Sequence, residues 1–114
     1  MIRTSQLERR INNAGKSFIG LHMSNVLSMI SDGYSKDAII EKLYKNQVGF
    51  IDKGIRGTQT RVSSLFHIIK EENVVNALQI VIDSPVPLRN GAKERARETI
   101  EMIDSGEIKL PKLD

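Results

Sequence analysis

The chain has no cysteine and no tryptophan, only three prolines, and aromatic residues make up 4% of its 114 positions. Without cysteine, a disulfide framework, a thiolate zinc site and a cysteine nucleophile are all excluded. With so few rings, the core must be built from Ile, Leu, Val and Met, a composition suited to packed helices. No run of apolar residues approaches the length needed to span a membrane, and the opening MIRTSQLERRIN carries charges where a signal peptide has an apolar stretch. The expectation is a cytoplasmic protein with no membrane partner. At this length one modest core forms and two do not.

What is present is positive charge, placed unevenly. The formal net charge is +3. Residues 1–16 hold Arg3, Arg9, Arg10 and Lys16 against Glu8, and residues 45–61 hold Lys45, Lys53, Arg56 and Arg61 against Asp52. The remaining segments are neutral or slightly acidic. Two concentrations of cations are the electrostatic footprint of a polyanion or acidic partner.

Apolar spacing predicts helices over about 4–13, 17–31 and 35–46, a fourth started by Thr58 or Thr60, a fifth over Val74–Ile82 and a sixth over 91–104. Asp32-Gly33 stops the second and Ser35 caps the third. Between Gln47 and Gly57 three glycines interrupt any periodicity, so this segment is expected to be the least restrained, with Val48, Phe50 and Ile51 in a short extended piece. Ser84-Pro85-Val86-Pro87 is a break. The fold class is therefore all-α: a single-domain bundle of five or six short helices. Residues 1–88 form its main body, 89–106 a C-terminal helix after the proline break, and 107–114 an extended tail. The fifth helix is apolar nearly all round, which suits either a bundle centre or a homodimer surface through Val74, Leu78 and Val81.

Catalytic constellations are weak. Ala14-Gly15-Lys16-Ser17 has the end of a phosphate-binding loop, but Arg10 stands where the first glycine belongs and a charged helix precedes it. His22 and His67 both fall in apolar helical stripes and read as packed histidines. His67 and Glu71 share a helix face, yet no further ligand joins them, so neither a metal site nor a cofactor is expected. The chain reads as a non-enzyme.

Helix-turn-helix geometry is the sharper idea, in two registers. In the first, Val26 to Leu43 supplies a helix, a turn at Gly33 and a second helix. The phrase DGYSKDAIIEKLYKN resembles the cadence of bacterial helix-turn-helix regulators, which any capped amphipathic helix also produces. Its second helix offers Lys36, Asp37, Glu41 and Lys42, a mixture of signs unsuited to phosphates. In the second register, residues 35–46 support and residues 58–70 read. There Thr58, Gln59, Thr60, Arg61 and Ser64 begin a polar, acid-free helix, with Lys53 and Arg56 in the glycine-rich lead. Such residues grip phosphates and read base edges. These seven form the expected nucleic-acid-binding set, with Arg3, Arg9, Arg10 and Lys16 as a secondary basic patch. The function expected is a small DNA-binding regulator of transcription or accessory protein, with duplex DNA ahead of RNA. The alternative is an adaptor or inhibitor whose basic surface meets an acidic protein.

Overall fold

A computed structural model describes residues 5–113. Six α-helices follow in order: α1 (Gln6–Ala14), α2 (Lys16–Ser31), α3 (Lys36–Lys45), α4 (Ile55–Lys70), α5 (Val74–Ile82) and α6 (Ala92–Asp104). A short 3-10 turn, Arg89–Gly91, leads into α6, and no strand occurs among the described residues. The all-α class expected from the sequence is the one observed.

Local chemistry sets the ends. Ser5 accepts a hydrogen bond from the Glu8 amide at 3.0 Å, and Ser35 accepts from the Ala38 amide at 3.1 Å, so each supplies the acceptor that a helix start lacks. Gly15 closes α1 and opens α2 at φ +90°, a conformation that joins two helices through one residue.

α2 is the axis of the bundle. Phe18, Ile19, His22, Met23, Val26 and Leu27 are all buried, because α1, α5 and α6 cover it from different sides. At Gly20 the start of α6 comes so close that a Cβ would lie 2.5 Å from the Ala92 carbonyl oxygen. Arg95 crosses the same interface and donates to the Ser24 hydroxyl at 2.9 Å. α6 thus packs directly on α2.

α5 is buried as its composition predicts, with Val74, Leu78 and Val81 at 1%, 0% and 0% exposure. Those three side chains lie inside this chain's own core, so the face considered for a second copy is already covered. The radius of gyration, 13.2 Å, matches the value of about 13 Å for one compact domain of this length.

Two local expectations are corrected. α4 starts at Ile55 with Gly54 before it, so neither Thr58 nor Thr60 is its cap. Gly57 does not break the helix; it makes room, since a Cβ there would lie 2.8 Å from the Asp52 carboxyl carbon. The second correction concerns Val48–Ile51, where Gly49 at φ +79° bends the piece expected to be extended. Phe50 is buried edge-to-face on Phe18 with ring centroids 4.9 Å apart, while Val48 and Ile51 face solvent.

Candidate nucleic-acid interface

The lead into α4 is bound at several points, unlike the loosely held segment its glycines suggest. The Gln47 side chain donates to the carbonyls of Tyr44 and Asp52 at 3.2 and 3.1 Å, and accepts from the Asp52 amide. Tyr44 donates its hydroxyl to the Lys53 carbonyl at 3.3 Å. His22 reaches Val48 from below, its Nε2 lying 2.7 Å from the carbonyl oxygen. A carbonyl only accepts, so Nε2 carries the proton and Nδ1 is left buried without a partner. Burial lowers the His22 pKa, opposed in part by the bond to Val48.

Asp52 is the hub. Its carboxylate accepts from the Thr58 hydroxyl at 2.9 Å and faces Arg61 Nε at 3.2 Å. Arg61 in turn donates from Nη1 to the Ala14 carbonyl at 2.6 Å, and its guanidinium lies over the rings of Phe18 and Phe50. One side chain therefore joins the end of α1, the loop and α4. The sequence placed Thr58, Arg61 and Ser64 among groups facing a polyanion. In the fold, Thr58 is fully buried, Ser64 is 4% exposed and donates to the Thr60 carbonyl, and Arg61 serves the interior.

Of the expected residues, Lys53, Arg56, Gln59 and Thr60 are exposed. On α4, residues 56, 59, 60, 63, 67 and 70 fall within one face at 100° per residue, opposite Val62, Leu65 and Ile69. Arg56, Gln59, Thr60, Ser63, His67 and Lys70 thus make a strip about 21 Å long at 1.5 Å per residue. It bears cations and neutral polar groups and no carboxylate. His67 is exposed on this strip rather than packed in the apolar stripe. α1 flanks one side, where Arg10 and Asn13 share a cleft with Arg56, Gln59, Thr60, Ser63 and His67. On the other side Lys36 lies over the Phe66 ring, 5.7 Å from its centroid. Asp37 and Glu41 of α3 line a separate hollow with Ile55 and Gln59, and mark the strip's edge.

The secondary basic patch does not gather. Arg9 is exposed, Arg10 faces α4 and pairs with Glu71 at 3.6 Å, and Lys16 reaches the Ser84 hydroxyl at 3.5 Å. Arg3 lies outside the described residues. Asn13, His67, Lys70 and Lys36 were not singled out from the sequence as binding residues. The polar stripe of α4 carries the signal for His67 and Lys70 once the helix is extended to Lys70. Nothing local signals Asn13 or Lys36, which tertiary packing brings in.

No group of three metal-binding side chains converges among the described residues, and no helix there is long and apolar enough to cross a membrane. No family model, curated protein or solved structure matches the chain.

Proposed function

We propose that the protein binds nucleic acid along the exposed face of α4, with duplex DNA as the preferred target. The observation that supports this most is the strip from Arg56 to Lys70, where cations and uncharged hydrogen-bonding groups share one helix face free of carboxylates. Helices present such a face to the major groove of B-form DNA, whose width admits them. The start of α4 adds to it: Gly54 provides no side-chain cap, so the first backbone N–H groups lack a side-chain acceptor between Lys53 and Arg56. Exposed aromatic platforms for stacking single-stranded bases are not part of the strip, and duplex fits it better. Arg56 and Lys70 contact phosphates; Gln59 and Thr60 reach base edges.

Titration with duplex DNA and duplex RNA at two salt concentrations tests this. Arg56→Gln and Lys70→Gln should each weaken binding to every sequence and flatten the logarithmic salt slope by about 0.9. Gln59→Ala should shift sequence preference while leaving that slope alone. A wild-type protein that ignores both duplexes at low salt ends the proposal. The adaptor reading draws on a different feature: Ile51 is 89% exposed beside Val48 at 56% and Lys53. An acidic protein partner with an apolar patch would cover that loop, and changes at Ile51 rather than Arg56 would then abolish binding.

A further inference from the structure

The cleft between α1 and α4 has a volume of about 420 Å³, and no carboxylate lines it. Arg10 and Asn13 come from α1; Arg56, Gln59, Ser63 and His67 come from α4. Thr60 and Ser64 donate their hydroxyls to carbonyls one turn earlier on α4. The other lining side chains have no hydrogen bond to a described residue. Glu71 stands 3.6 Å from Arg10 Nε, and this Nε and a Glu71 oxygen are both buried without a hydrogen bond. The carboxylate therefore holds the Arg10 guanidinium at the cleft's end.

Asn13 on one wall and Arg56, Gln59, Ser63 and His67 on the other therefore face this space with no hydrogen bond to a described residue, while Arg10 is paired with Glu71 at its far end. A planar carboxylate is satisfied by a single guanidinium fork. Donors converging from two walls suit a tetrahedral oxyanion, whose oxygens point in four directions. We infer that this cleft is a specific seat for one phosphoryl group: Arg56 grips it from the α4 wall, Asn13 donates from the α1 wall, and Ser63 donates to a remaining oxygen. The inference rests on the reading of the α4 face as an anion-binding surface and narrows it to one built site. A phosphodiester of a duplex and the phosphate of a free small molecule offer the same chemistry. On a duplex, the seated phosphate fixes the register in which Gln59 and Thr60 meet the bases.

Inorganic phosphate is the probe, titrated at constant ionic strength against chloride and acetate, with amide NMR shifts as the readout. Saturable shifts at Asn13, Arg56 and Ser63 are expected with phosphate and not with acetate. Arg56→Gln, which removes the gripping fork, and Asn13→Asp, which sets a carboxylate in the cleft, should each weaken phosphate binding about tenfold. Both positions are exposed, and unchanged thermal unfolding checks that each variant folds. Phosphate shifts no larger than those of chloride, or equal affinity in both variants, overturn the inference. The duplex titration separates the two proposals. If phosphate binds the cleft and neither duplex binds, the nucleic-acid reading falls and a phosphorylated small molecule is the ligand class. If duplex binds with undiminished affinity to Asn13→Asp, the cleft is no phosphate seat and the strip stands without it.

Discussion

Asp52 has only 9% of its side chain exposed, and Arg61 has 26%. A carboxylate at that depth is costly unless paired, and its partner is equally costly once the carboxylate is gone. Asp52→Ala strands the Arg61 guanidinium between two rings and removes the acceptor of Thr58. The loss should be about 2–4 kcal/mol of stability, measured by denaturant unfolding. A loss within the surface scatter of about half a kcal/mol would show the hub to be ornamental. His22 supplies a second test at this scale, through pH. Its folded-state pKa lies below the ordinary 6.5, chiefly because burial disfavours the charged ring. The unfolded chain therefore takes up the proton first as pH falls. Stability is full above pH 6.5 and declines below it, until the folded ring also titrates. Urea midpoints between pH 7.5 and 5 should fall for the wild type. In His22→Gln, whose amide can still donate to Val48, the part of that decline due to the ring should vanish.

Among the elements, the contact of α2 with α6 is the tightest. Gly20→Ala places a methyl against the Ala92 backbone, which has no rotamer to yield, so the helices must part; about 1–3 kcal/mol should be lost. Leu78→Ala in α5 empties a fully buried site and should cost about 2–5 kcal/mol. The periodicity of Ile, Leu and Val made these elements legible: α2, α3, α5 and α6 start and stop within a residue or two of where caps, Asp32-Gly33 and the prolines put them. The start of α4 was not legible. Two glycines flanking Ile55 and Arg56 read as loop, whereas Gly57 is helical and small for the sake of Asp52. From that misplacement followed the assignment of Thr58 and Arg61 to the surface. Their polar side chains look outward in a sequence. In the fold a buried carboxylate turns them in.

At the scale of the molecule, cations from helices far apart in the chain line one cleft. Arg10 and Arg56 are separated by the whole of α2 and α3, and no local pattern pairs them. What the sequence did show was the excess of charge in both segments. The fold adds that one cation of the second segment, Arg61, is internal, which leaves the strip with fewer phosphate contacts than a count of residues implies.

The internal position of Arg61 has its own consequence. By bonding the Ala14 carbonyl and the Asp52 carboxylate together, it fixes the end of α1 relative to α4 from inside the molecule. Those two helices are the walls of the cleft, so their separation is set before any ligand arrives. A ligand entering a preorganised gap gives up little chain entropy, because the protein has already been ordered by folding. Hydrogen exchange in α1 should therefore change little when an anion binds to the wild type. Arg61→Lys keeps the charge but loses the planar fork that spans both acceptors. In that variant anion binding should weaken and α1 should become newly protected on binding, although residue 61 never touches the ligand. Unaltered affinity and exchange would mean that the spacing of the walls is held by packing alone.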